Sequence, residues 1–209
     1  MIAPAPKPRP AAAQRREAIL LVAQEVFLEH GFEGASMSQV AARLGGSKGT
    51  LYSYFDSKEA LFEALVADSC ARNADAMFAV ADDADIEARL LGFARGYIRL
   101  VNSDWAIRMF QAVAAEARRR PEIGRLFFDA GPGNALARLA AWIAAAAAAG
   151  EIAVTDPQAS AEDFASLCRG SLHLKRMLAL APEPDAARID SLANHAVTQF
   201  LHLHAAGHH

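Results

Sequence analysis

The chain has 209 residues, a formal net charge of −3, 53% hydrophobic residues and only two cysteines. That length can bury one large core or two small ones, and two thiols are too few for a disulfide framework. No charge-free run reaches the roughly 18 residues of a membrane span. Met1–Pro10 carries Lys7 and Arg9 among prolines rather than the apolar core of a secretory signal, so the expected location is the cytoplasm, without a membrane partner.

Charge is unevenly distributed. Through Ala60 there are seven Lys/Arg against six Asp/Glu, a net of +1, and from Leu61 onward fourteen against eighteen, a net of −4. Nucleic acid, if bound, is therefore expected at the N-terminal end, where phosphates need local positive charge.

Pro4, Pro6, Pro8 and Pro10 predict an extended, disordered arm over residues 1–13. A helix is predicted from about Gln14 to His30, because Ile19, Val22, Ala23, Val26 and Phe27 recur at helical spacing, and Gly31 is placed to end it. Ser36-Met37-Ser38-Gln39 has the form of a capping box opening a second, short helix with Val40, Ala41 and Leu44 inward. Gly45-Gly46 stops that helix, and Ser47 caps a third over about Lys48 to Tyr54. Leu51 and Phe55 should face in, while Lys48, Gly49, Thr50, Ser53 and Tyr54 face out. Ser57, or Asp56 with Glu59, caps a fourth helix containing Leu61, Phe62, Leu65 and Val66.

The second and third helices are too short to persist alone in water and must pack on each other. Two helices joined by a tight glycine turn form the helix-turn-helix unit, whose second helix enters the DNA major groove. Beyond Ala67 the pattern stays helical, with breaks expected at 82–85, 120–122, 131–133, 150, 155–157 and 182–184, delimiting five or six further helices. The fold class is all-α: a three-helix helix-turn-helix domain over residues 14–66 is joined by a linking helix to a larger helical ligand-binding and dimerisation domain over 67–209.

The stretch Gly31-Phe32-Glu33-Gly34 through Ser36, Val40-Ala41 and then Gly45-Gly46-Ser47-Lys48-Gly49-Thr50-Leu51-Tyr52-Ser53-Tyr54-Phe55-Asp56-Ser57-Lys58-Glu59 closely resembles the DNA-binding domain of the TetR family. One departure is Gly46, where the family usually has an apolar residue that packs the turn into the core, so a looser turn is expected. The resemblance implies phosphate contacts from Ser36, Tyr54 and Lys58, and base contacts from Ser38, Lys48, Gly49, Thr50 and Tyr52, with Ser47 at the head of the recognition helix. The chemistry of these side chains fits such roles, since lysine donates to guanine and the threonine methyl can meet thymine. Arg15 and Arg16 read equally as backbone contacts or as solvated charges. Phe110, Val113, Ala115-Glu116, Arg119 and Pro121-Glu122, with Gly150 and Asp156-Pro157, resemble the C-terminal domain of efflux-type repressors of the AcrR kind.

From that second resemblance and from the aromatic content, a cavity is expected among Phe93, Tyr97, Trp105, Met109, Phe110, Trp142 and His173, suited to a small hydrophobic or aromatic effector. The resemblance also implies a homodimer through the last two helices, with Phe164, Leu167, Leu172, Leu192, Val197, Phe200 and Leu201 at the seam, binding double-stranded DNA at a palindromic operator. Repression released by the effector is the expected output. The alternatives are a helical interaction protein that has lost operator binding and an all-α enzyme using the second domain's cavity.

Catalysis finds little support. The Gly45–Thr50 run lacks the spacing of a phosphate-binding loop and follows a helix. Cys168 and His173 fall on different faces of one helix, and no carboxylate is placed to orient the histidine. His202, His204, His208 and His209 could hold a metal adventitiously, but the ending Gly207-His208-His209 reads equally as the remnant of a purification tag. No catalytic residue, cofactor or metal site is assigned.

Overall fold

The computed structural model describes residues 10–78 and 84–205. Helix α1 (Pro10–Gly34) begins at Pro10, within the expected arm, because proline is tolerated as a first helical residue, where the missing N–H has no partner to lose. The rest of the arm lies outside the described residues. Gly31 (φ 68°) interrupts α1 at the expected position.

Ser36 caps α2 (Met37–Arg43) by accepting from the Gln39 N–H at 3.2 Å. The box is closed differently from expectation, since the Ser36 hydroxyl donates to the Gln39 side-chain oxygen at 2.8 Å. At the other end the Gly46 N–H reaches the Ala41 carbonyl and the Gly45 N–H that of Ala42, each at 3.2 Å, with Gly45 at φ 64°. This paired closure satisfies carbonyls that a helix end would otherwise leave bare. Helix α3 (Lys48–Tyr52) is shorter than predicted. Its end is taken up by the Ser53 hydroxyl, which donates to the Thr50 carbonyl at 2.7 Å, and residues 53 and 54 turn the chain. Ser57 accepts from the Ala60 N–H at 3.0 Å in the first turn of α4 (Lys58–Phe78).

Phe27 and Phe32 stack at 5.8 Å, and both meet the edge of Phe62 at 5.2 Å, forming the centre around which Leu51, Phe55, Leu61 and Leu65 close. This core does not stop at residue 66. Met109 and Val113 of α6 (Asp104–Ala117) and Ile123 of α7 (Pro121–Phe128) are buried in the same cluster. The helix-turn-helix unit is thus packed onto the second domain through shared apolar surface, which opposes free swivelling of the two.

The second core is built by α4, α5 (Ile86–Val101), α8 (Asn134–Ala148), α9 (Pro157–Met177) and α10 (Ala186–Leu203). Phe93, Phe164 and Phe200 run through it in edge and tilted contacts of 5.0–6.1 Å. An isolated antiparallel bridge between Ile152 and Ala205 ties the α8–α9 connection to the end of α10.

Three sequence expectations need correction. The chain breaks at Asn102-Ser103, where the pattern predicts continuous helix: buried Asn102 donates to the Ile98 carbonyl at 2.8 Å, and Ser103 caps α6 by accepting from the Ala106 N–H. Conversely, Gly131-Pro132-Gly133 does not break the chain. A π turn, Asp129–Gly133, carries α7 straight into α8, its wider loop accommodating a proline that has no N–H to donate. Third, Phe164, Val197 and Phe200, expected at a dimer seam, are buried within the chain's own core. The large apolar groups left exposed on α9 and α10 and in the turn between them are instead Leu174, Leu178, Leu180 and Leu203.

Candidate nucleic-acid interface and effector cavity

The exposed face of α2 and α3 carries Ser38, Ser47, Lys48, Gly49 and Tyr52, with Thr50 half-buried. Leu51, 1% exposed, anchors α3 from behind, so these groups are presented on a fixed backbone. The Ser47 hydroxyl accepts from the Thr50 N–H at 3.1 Å and lies 3.0 Å from the Thr50 hydroxyl. Lys48 is the only charged residue of α3, so this short helix presents a single cation and no carboxylate.

Other expected contact residues are already engaged. The Ser36 hydroxyl proton is committed to Gln39. Lys58 donates to the carbonyls of Phe32 at 2.8 Å and Glu33 at 3.4 Å, and its ammonium lies 4.5 Å from the centre of the Phe32 ring. It therefore closes the end of α1, and at most one of its three donors remains for a phosphate. Tyr54 is half-buried against the domain core. Arg16 pairs with Asp68 at 3.9 Å and lies over Phe55, while the Arg15 guanidinium lies beside Gly46, where a side chain would otherwise sit.

In the second domain a cavity of about 320 Å³ opens between α4, α5, α6, α7, the π turn, α8 and α9. Of the seven residues expected to line it, Tyr97, Trp105, Phe110 and His173 do so. Phe93 does not, being fully buried and stacked behind Tyr97 at 5.4 Å. Met109 points to the helix-turn-helix core, and Trp142 packs on the outer side of Phe78 at 4.8 Å. In each case core packing outcompetes cavity lining, as is usual for large apolar side chains at helical spacing.

Phe127, an aromatic that the sequence also offers for such a pocket, lines the cavity as well, together with Phe78, Arg138 and Arg169, which the sequence reading missed. Arg138 did carry a signal, for it is the only charged residue in the otherwise apolar and alanine-rich α8. His173 is held by its Nδ1, 3.1 Å from the Val101 carbonyl, which places the proton on Nδ1 and leaves Nε2 as an acceptor. Burial lowers its pKa, favouring the neutral ring. Burial also pushes the Cys168 thiol up to about 12, so it is no thiolate nucleophile at neutral pH.

Two elements connect the cavity with the α2–α3 unit. Ala67, Ala71, Met77 and Phe78 of the cavity wall lie on α4, whose Leu61, Phe62 and Leu65 are buried in the same cluster as Leu51 of α3. Phe127 and the π turn belong to the same rod as α7, and Arg120 stands at its head. The Arg120 guanidinium pairs with Glu33, with Glu122 at 3.0 Å and with Glu59 at 3.4 Å, and lies over the Phe32 ring. Its hydrogen bonds hold the Glu33 and Glu122 carboxyls below the usual carboxylate range.

Residues 19–65 match the family profile described as bacterial regulatory proteins, tetR family, and residues 88–206 match that of the AefR-like transcriptional repressor C-terminal domain. A transcriptional repressor, AcnR of Corynebacterium diphtheriae, is 40% identical over 63 residues, 30% of this chain; the match spans 33% of that relative, about a third of its length. The flavonoid-responsive regulator FrrA is 32% identical, with a TM-score of 0.77 over 92% of this chain and 97% of that one. A TetR-family protein from Mesorhizobium loti shares the fold at a TM-score of 0.79 and 24% identity, covering 94% and 99% of the two chains. With both of its parts matched and the helix-turn-helix geometry in place, the chain belongs to the TetR family of bacterial transcriptional regulators.

Proposed function

We propose that the protein is a homodimeric repressor that binds a palindromic operator through α2 and α3 and is released when a small aromatic or hydrophobic molecule occupies the cavity. The observation that carries this reading is that α4 forms one wall of the cavity and, through Leu61, Phe62 and Leu65, shares the buried core that holds Leu51 of the recognition helix. A single short helix reads too few base pairs for useful specificity, and a two-fold pair doubles the site. The exposed leucines of α9, α10 and the turn between them supply the apolar surface such a pair would bury. The flavonoid response named for FrrA supports an aromatic effector here.

Release requires differential binding. A thousandfold loss of operator affinity needs about 4 kcal/mol of preference for the state that cannot bind DNA, and the operator must weaken effector binding by the same factor. The test is selection of operators from random DNA, followed by fluorescence anisotropy with and without a flavonoid panel. Lys48→Ala and Tyr52→Ala should relax base preference, at a cost of about 1–3 kcal/mol for each base that is no longer read. Failure to select any inverted repeat would overturn the reading.

A further inference from the structure

We propose that the cavity is built for an aromatic acid, taking an apolar ring system into the helical interior and an ionised carboxylate at Arg138 and Arg169. This deepens the effector role proposed above and rests on it only for the consequence at DNA. Among the described residues the cavity walls contain no acidic side chain, although the part of the chain from Leu61 onward carries a net charge of −4. Both charged lining residues are arginines, and neither makes an ion pair among the described residues.

Arg138 is held by its flat face, with the guanidinium 3.9 Å from the centre of the Phe78 ring. That contact leaves its N–H edge to donate, and guanidinium matches a carboxylate in a two-bond fork. Arg169 spends one donor on Ser166 at 3.0 Å and keeps others. A third donor is unclaimed: the Trp105 indole N–H is shielded from solvent and has no hydrogen-bond partner, a costly state that a ligand acceptor would relieve. The unsatisfied polar capacity of the wall is thus dominated by donors and positive charge, and the ligand must bring acceptors and negative charge.

The apolar remainder sets the other half of the molecule. Phe110, 43% exposed, lines the cavity edge-on to Phe127 at 6.3 Å and His173 at 6.1 Å. Phe127, Leu100, Val101 and Phe78 offer only ring faces and methyl groups. A volume of about 320 Å³ suits a two-ring system rather than a long lipid.

The test uses 2-naphthoate and its neutral near-isostere 2-naphthamide, titrated by calorimetry into the full-length protein without DNA. We expect the acid to bind at least about tenfold more tightly, as charge-assisted hydrogen bonds to arginine would give. Arg138→Gln with Arg169→Gln should abolish that preference, the acid losing at least about tenfold more affinity than the amide, and Arg138→Lys should keep part of it. Equal affinity for acid and amide, a preference that survives the double variant, or no binding of either probe would overturn the proposal. Because DNA is absent, loss of acid selectivity leaves effector-dependent release standing, and a bound acid that fails to move operator affinity overturns release but not the site.

Discussion

Arg120 and Glu33, 87 residues apart in sequence, form an ion pair that ties the head of α7 to the end of α1. Glu59 and Glu122 complete the cluster, and Phe32 lies beneath it. Solvent-facing pairs of this kind contribute little to net stability, so their consequence is geometric. Arg120→Ala should leave the thermal midpoint nearly unchanged but reduce the factor by which an effector weakens operator binding. Measuring operator affinity with and without effector, in wild type and variant, checks this. An unchanged factor would show that the coupling runs through α4 alone.

The family resemblance gives Lys58 a phosphate to meet, and the structure gives it a second task at the end of α1. Lys58→Ala should therefore lower stability by about 1 kcal/mol, because two hydrogen bonds and a cation–ring interaction disappear with the ammonium. Urea denaturation of the free protein measures this without DNA. The slope of operator affinity against salt reports the phosphate role separately, since freeing one phosphate lowers it by about one. Wild-type stability in the variant would refute the closing role.

Gly46 has no positive φ, and a Cβ built there meets only the tip of the flexible Arg15 side chain, at 3.1 Å. The position tolerates a side chain, and a small gap lined by Ile19, Ala41, Leu44 and Leu51 lies beside it. Gly46→Val should raise stability by about 0.5–1 kcal/mol, through a less free unfolded chain and added apolar burial, with Arg15 moving to solvent. A lower thermal midpoint would mean that the turn depends on the glycine itself.

Burial favours neutral His173, so its folded pKa lies below the ordinary 6.5. The unfolded chain then binds the proton more readily, and stability falls as pH drops from about 6.5 through the folded value, after which the loss is constant. Thermal midpoints of wild type and His173→Gln, compared from pH 8 to 5, should diverge at the alkaline end and converge toward the acid end. Parallel curves would refute this.

The helix-turn-helix region was legible because its signals are local: Ser36, Ser47 and Ser57 each cap the helix the pattern assigns to them, and Gly31 and Gly45 take positive φ where a stop is needed. The cavity was legible only in part. Tyr97 and Phe93 lie a helical turn apart, and both read as large apolar groups, yet one lines the space and the other fills the core. That difference is fixed by how α5 rotates against α4 and α9, a tertiary choice that periodicity does not encode. Ser103 was readable as a cap, but the apolar pattern runs through it, and Pro132 announced a stop that a π turn absorbs.

That π turn sets the rotational phase between two helices that share one axis. Gly133 has its Cα close against Phe128, where a Cβ would come within 3.1 Å of the Phe128 carbonyl oxygen and ring, so the loop is shaped for the residue it holds. A π turn amounts to one residue inserted into an α-helical register, and each residue of register turns a helix by about 100°. Removing a single residue between Asp129 and Gly133 would straighten the rod into ordinary helix and rotate α7 relative to α8 by that angle. Ile123 would then leave the helix-turn-helix core, and Arg120 would swing away from Glu33. The reach of the second domain to the DNA-reading unit thus depends on an odd residue count at the cavity wall, which makes this segment intolerant of length change even where its individual side chains are dispensable.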